Sequence, residues 1–359
     1  MHFSTLFAGA ALASYAIAHP GHDIHAEMQK REAALAGLPR SLDHCAEKLE
    51  ARGITAEAAA RREAAFRKAR EERGIDPDSP QLKARDATTV LATSHLSGTT
   101  YSPSTAASVL FAGMNTCVLS PEVTQGPYYV GGEFVRPDIR DGQKGVEVIL
   151  DTLVIDMSTC NPVTNAMIEI WHTNSTGVYG GIVANGNGAG TRDPSNAYNT
   201  FHRGLQHVDS SGVAQFITNF PGHYTGRTTH IHVLAHLNGA VTSKGKYEGG
   251  TNAHVGQLFF DQSLISQVEA VSPYSTNTQS LTTNSADGIF RQEAATSDPV
   301  VHYSFLGTSV SQGIFAWVAF GINTSNNLNV GQAASLAATV TVTNAQTGTA
   351  TATTTTRTA

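Results

Sequence analysis

Past residue 105 the hydrophobic pattern of this chain falls into alternation, and that period limits what the chain can build. Segments 146–155, 167–171, 213–217, 230–235, 257–260, 314–322 and 339–343 read as short strands separated by Gly- and Pro-rich turns. Successive side chains of a strand point to opposite faces, so strands of this kind form a core by packing sheet on sheet. The expectation is a mainly β chain with a β-sandwich core. The long Gly- and Asn-rich stretch 182–202 reads as a surface loop, placed over the mouth of any site.

Ahead of the core the pattern is different. Residues 24–73 are rich in Ala, Glu, Lys and Arg, with Leu35, Leu38, Leu42, Cys45 and Leu49 at helical spacing. Two or three helices are expected, broken at Gly37-Leu38-Pro39 and Arg52-Gly53, with Thr55 capping a helix that runs to residue 73. The pairs Lys30-Arg31 and Arg61-Arg62 suit a processing protease, which would make this a removable pro-segment, but they read better as part of a solvated helix face. The organisation is then a leader at 1–18, a helical segment at 19–75, a Pro-, Ser- and Thr-bearing linker at 76–105, the sandwich at 106–343 and a Thr-rich tail at 344–359.

The first residues indicate the compartment. The apolar run 3–18 ends in Ala16-Ile17-Ala18, the small-residue pattern of a secretory cleavage site, and is too short to span a membrane. A new N-terminal His19 could bind copper through its amine and ring, yet no pattern supplies a second ligand. Three cysteines allow one internal disulfide, and Cys117 with Cys160 is the expected pair because both lie in the core region whereas Cys45 lies in the helical segment. Asn174-Ser175-Thr176 and Asn323-Thr324-Ser325 are glycosylation sequons, with Asn323 the better placed. A net charge of −6, with 13 of the 23 Lys and Arg confined to residues 28–85 among acids, gives no reason to expect a nucleic-acid partner.

The chemistry is concentrated at Thr229-His230-Ile231-His232. In an extended segment His230 and His232 face the same side and can direct two imidazoles at one point. A His-x-His pair by itself is often just two polar residues on a strand. Here Arg227 precedes it, and Tyr224 and Tyr179 stand at loop ends next to strands, where a rigid scaffold positions a reachable side chain.

Read in order, Ile170-Trp171-His172-Thr173-Asn174, Gly177-Val178-Tyr179, Asp209-Ser210-Ser211-Gly212, Pro221-Gly222-His223-Tyr224, Arg227-Thr228-Thr229-His230-Ile231-His232 and Gly256-Gln257-Leu258-Phe259 resemble the intradiol ring-cleavage dioxygenases, in particular their secreted fungal branch. Gln125-Gly126-Pro127-Tyr128-Tyr129 resembles that family's entry into its core. The resemblance implies a β-sandwich holding non-haem Fe(III) through Tyr179, Tyr224, His230 and His232, with an aromatic vicinal diol and O2 as reactants and a muconate-type diacid as product. It implies that Tyr224 gives way to the diol and takes a proton, that Arg227 stabilises developing negative charge, and that Gln257 belongs to the same site. It also allows the helical segment to mediate a homodimer. Three departures stand out: His172 where the family more often has Gln, a long span between His232 and Gln257, and Thr228-Thr229 where a Pro is usual before the first histidine. No Asp or Glu occupies the tyrosine positions, which disfavours a two-histidine, one-carboxylate Fe(II) site. His172, His202, His207 and His223 are expected along the approach to the metal, His236 at the periphery, and Trp171 in core packing. The competing class is a secreted iron-binding β-sandwich that serves as an interaction module without turnover.

Overall fold

A computed structural model describes residues 39, 41–79, 126–188, 190–295 and 297–335, together with the strand residues 340–342 and 355–357. The expected leader, His19, Lys30-Arg31, Cys117, Gln125 and most of the linker and tail lie outside these residues.

Eight strands form the body: β1 Glu147–Asp156, β2 Ala166–Trp171, β3 Arg203–His207, β4 Val213–Asn219, β5 His230–Leu237, β6 Thr251–Phe259, β7 His302–Phe305 and β8 Ile314–Ile322. They make two four-stranded sheets, ordered β7-β8-β1-β4 and β3-β2-β5-β6. All neighbours are antiparallel except β8 and β1, which run parallel. The alternation is realised directly. Ile231, Val233, Ala235 and Leu237 of β5 share one core with Leu150 and Val154 of β1, Phe216 of β4 and Val318 and Phe320 of β8. The residues between them in β5 face the other way, which puts His230, His232 and His236 on the outer face of the second sheet. The strand expected at 339–343 is described at Val340–Val342, where it pairs with Thr355–Arg357. Strands β3 and β7 were not expected; Arg203, Gln206 and His207 give β3 no apolar alternation to read.

The outer face of the first sheet is also apolar, and the helical segment covers it. Helix α1 is Ala46–Ala51 and α2 is Ile54–Glu71. Phe66 and Ala69 of α2 pack with Ile149, Phe315 and Trp317, while Leu42, Leu49 and Ala58 pack with Leu153, Ile155 and Ala319. Two expectations fail here. Thr55 is not a cap: α2 begins at Ile54 after Gly53, whose φ of 72° is the left-handed turn needed to reverse the chain between helices two residues apart. Arg62 is not on a solvated face either. It is buried and pairs through Nε with Asp151 of β1 at 3.1 Å, and Arg61 joins the same carboxylate at 2.9 Å.

The disulfide is a third correction. Cys45 bonds Cys160, not Cys117 with Cys160. With the helices laid against β1, Cys45 at the start of α1 meets Cys160 in the turn that follows that strand, so the cross-link joins helical segment to core instead of closing within the core. Two further helices, α3 Gln262–Glu269 and α4 Gly288–Ala294, follow β6. Among the described residues no helix is long and apolar enough to cross a membrane.

Candidate metal centre

The two tyrosines ride on loops that lock together. After β2 the Asn174 carboxamide oxygen accepts the N–H groups of Thr176 and Val178, each at 3.1 Å, which turns the chain toward Tyr179. Gly177 sits at φ 77°, and a Cβ there would lie 2.1 Å from the carbonyl oxygen of His223. Only glycine permits this approach, and it sets the Tyr179 loop against the Tyr224 loop. Beyond Tyr179, two buried asparagines hold its main chain: Asn187 accepts the Tyr179 N–H at 2.7 Å, and the amides of Asn187 and Asn196 both donate to the Tyr179 carbonyl at 2.8 Å. The 182–202 stretch is therefore not a simple surface cover. It buries two amides and fixes a tyrosine from behind.

Strand β5 supplies the imidazoles. The Nδ1–H of His230 donates to the Thr228 carbonyl at 2.6 Å, which leaves the Nε2 lone pair facing the tyrosines. The indole of Trp171, across the β2–β5 pairing from His232, stacks on the His232 ring. Gly126 approaches His232 from the opposite strand entry; a Cβ on Gly126 would come within 2.9 Å of Cε1.

Four potential donor atoms meet as a result. Tyr179 Oη lies 3.4 Å from His230 Nε2 and 3.1 Å from His232 Nε2, the two Nε2 atoms are 3.2 Å apart, and Tyr224 Oη is 3.4 Å from His230 Nε2. Ligands at about 2.0–2.1 Å from one cation, arranged near-tetrahedrally, stand roughly 3.4 Å from each other. The spacing fits a single metal ion. Burial pushes the Tyr179 phenol well above its ordinary range, with the neighbouring Tyr224 charge adding to the rise. Burial also raises Tyr224, against the opposing pull of Arg227. Two phenols kept neutral by desolvation are of the type that a bound cation converts to anionic ligands, because its own charge dominates the local balance.

Arg227 is fixed beside them. Its Nε donates to Asp287 Oδ2 at 2.8 Å and its Nη2 to Gln257 Oε1 at 2.6 Å. Gln257 stands opposite His232 in the β5–β6 register, which brings the long-spaced segment against Arg227. Asp287 also caps α4, accepting the N–H groups of Ile289 and Phe290 at 2.8 and 3.1 Å. Burial opposes its ionisation, yet the Arg227 guanidinium and the Thr228 N–H outweigh that and hold its carboxyl below the usual range. The same pairing keeps Arg227 charged despite its own burial.

Sequence reading missed Asp287, Asn187, Asn196 and the stacking role of Trp171. An Asp one residue before a helix carries a capping signal, and nothing local announces its second partner. Tyr128 was noted only as part of a motif. Its ring lies 5.1 Å from that of Tyr179, and burial, then the Tyr224 charge, push its phenol up to about 12.

The remaining histidines are engaged elsewhere. His172 and His202 stack 4.5 Å apart, and His172 contacts Thr173 O and Thr218 Oγ1. His223 contacts Glu269 and Gln279, His236 contacts Glu169, and His207 contacts the Val208 carbonyl. His44, Cys45 and Cys160 form another cluster of metal-binding residue types, but its sulfurs are bonded to each other and are not thiolates.

An intradiol ring-cleavage dioxygenase of solved structure from Tetranychus urticae is 30% identical to this chain, and the match covers 59% of this chain and 98% of that one, with a TM-score of 0.49. This chain belongs to the intradiol ring-cleavage dioxygenases. A second solved dioxygenase matches with 30% identity, the same coverage and a TM-score of 0.48. No family model and no curated relative matches. In this intradiol dioxygenase the quoted tyrosine, arginine and histidine motifs lie on the strands of the sandwich and the loops between them.

Proposed function

We propose that this dioxygenase is a secreted enzyme that holds non-haem Fe(III) through Tyr179, Tyr224, His230 and His232 and cleaves catechol-type aromatic diols with O2 to muconate-type diacids. The observation that carries the reading is the meeting of two phenol oxygens and two imidazole Nε2 atoms at 3.1–3.4 Å. Hard phenolate oxygens alongside imidazoles suit a ferric ion better than softer metals. Secretion is supported by the leader-like run at 3–18 and by a disulfide, which persists in oxidising compartments.

When bound, ferric iron supplies a Lewis acid that lowers the hydroxyl pKa values of a diol and opens its ring to O2. The chain's own residues do the rest. Tyr224, paired through its backbone with Arg227, receives a proton from one diol hydroxyl. Tyr179 is pinned by Asn187 and Asn196 and stays in place. Arg227, aimed by Asp287 and Gln257, presents a fixed positive charge to the negative charge that develops on the ring, among side chains with little solvent exposure. His230 keeps its Nε2 lone pair exposed through the Thr228 carbonyl.

The test uses protein recovered from a secretory host. Elemental analysis should find about one iron per chain, visible absorption should show tyrosinate-to-iron charge transfer, and catechol with O2 should yield a ring-opened acid. Absence of iron sinks the reading. A coloured protein inert to catechol, hydroxyquinol, protocatechuate and gallate would leave the interaction module standing in its place.

A further inference from the structure

A second buried guanidinium stands behind the centre. Arg203 of β3 is opposite Trp171 of β2, Trp171 opposite His232 of β5, and His232 opposite Gln257 of β6, so these residues form one row across the second sheet. Gln257 holds Arg227 at one end of the row, and Arg203 is the other end. Arg203 donates through Nε to the Gly180 carbonyl at 2.7 Å and through Nη2 to the Tyr128 carbonyl at 2.8 Å. These bonds tie the loop that carries Tyr179 to the entry of the sandwich. The guanidinium lies 5.9 Å from the centroid of the Tyr179 ring, within the reach of about 6 Å over which a cation and an aromatic face attract.

The positive charge is not cancelled nearby at neutral pH. Glu133 is buried with Oε1 3.9 Å from Arg203 Nε, and neither of its carboxyl oxygens has a hydrogen-bond partner among the described residues. Burial pushes this carboxyl up to about 8 against the pull of Arg203, whereas a guanidinium keeps its proton. Glu169 is engaged by His236 and by the Tyr129 hydroxyl. We infer that Arg203 is a positioning residue for the ring-cleaving reaction, which clamps the Tyr179 loop and sets the donor strength of Tyr179 with its charge, so that a ferric ion bound there has a raised reduction potential. A fixed positive charge makes a phenolate a weaker donor and disfavours the higher charge of Fe(III), and both effects act in the same direction. The consequence for the reaction is an iron that draws electron density more strongly from a bound diol. The inference rests on the ferric function proposed above.

Spectroelectrochemical reduction of the full-length, iron-loaded protein tests it, with wild type and Arg203→Gln compared at pH 7. The variant should have a lower potential at equal iron content. An unchanged or higher potential overturns the inference, because the arginine would then be a structural tie alone. Should Arg203→Gln not fold, or fold without iron, the decision passes to Glu133→Gln, which leaves Arg203 and its main-chain bonds in place. The groups that face Glu133 are Arg203 of β3, Glu169 of β2 with its partner His236 of β5, the Tyr129 hydroxyl, and Arg136 and Lys246. Between pH 7 and pH 9 Glu133 ionises in the wild type and offsets Arg203, so the wild-type potential should fall further over that interval than that of Glu133→Gln. Equal falls overturn the inference. Wild-type protein that takes up no iron refutes the parent function, whereas an iron-loaded wild type with either contrary result refutes only the role given to Arg203.

Discussion

The indole of Trp171 and the imidazole of His232 lie parallel, with planes 3° apart and centroids 4.8 Å apart. They face each other across two paired strands, so the ring orientation of a proposed iron ligand is set by a residue that touches no metal. Groups that orient ligands typically contribute about 10–100-fold to metal affinity. Trp171→Leu should lower iron affinity within that range, measured by chelator competition, while far-ultraviolet circular dichroism stays native. Unchanged affinity would assign Trp171 to packing alone.

Asp287 connects the start of α4 to Arg227, and its replacement should act at a distance. Asp287→Asn is expected to reduce turnover by about 10–100-fold with iron retained, and Arg227→Gln by about 100–1,000-fold. Because the Arg227–Asp287 pair is buried, removing its negative member should also cost about 3–5 kcal/mol of stability, read from urea unfolding. Retention of full turnover in Asp287→Asn would mean that Gln257 alone positions the guanidinium.

His172 and His202 give the fold an acid-sensitive element. Burial pushes His172 down to about 3 and His202 well below its ordinary value, so both are neutral in the folded chain. The unfolded chain takes up these protons near pH 6.5, and between there and about pH 3 it binds more protons than the folded one. Stability should accordingly be complete above pH 6.5 and fall with acidification, by about 1.4 kcal/mol per pH unit for each such histidine. Replacing His172 with Gln should flatten that slope, and unfolding midpoints collected from pH 7 to pH 4 would reveal it.

The Cys45–Cys160 bond predicts a definite peptide map. Digestion without reductant should release a linked pair containing these two residues and no Cys117–Cys160 pair. Cys160→Ala should lower stability by about 2–4 kcal/mol, since the bond closes a loop spanning 115 positions. A stability equal to wild type would indicate that helix packing and the Asp151 ion pairs hold the segment without it.

Much of the site was legible because its signals are local. His230 and His232 two apart on a strand, and Tyr179 and Tyr224 each two residues after a glycine, carry spacing that a reader can match without knowing how the sheets pack. The sandwich was legible for a similar reason in β5, where histidine and aliphatic residues alternate and report the inward face, while β1 and β8 are apolar on both faces and read only as strands. What escaped depends on contacts between distant segments. Cys45 was assigned no partner because nothing in 24–73 says which sheet face the helices cover, and the buried partner of Arg62, Asp151, is 89 residues away. Asn187 and Asn196 looked like loop composition because a polar residue that serves another segment's backbone has no periodicity of its own.

Strand β5 serves two masters through one alternation: Ile231 and Val233 close the interior, and His230 and His232 complete the four-donor cluster. Sliding this strand by a single position along β2 or β6 would bring imidazoles inside and aliphatic groups out. A correctly aligned hydrophobic interior thus also assembles the four-donor cluster, and a chain out of register would lose both together.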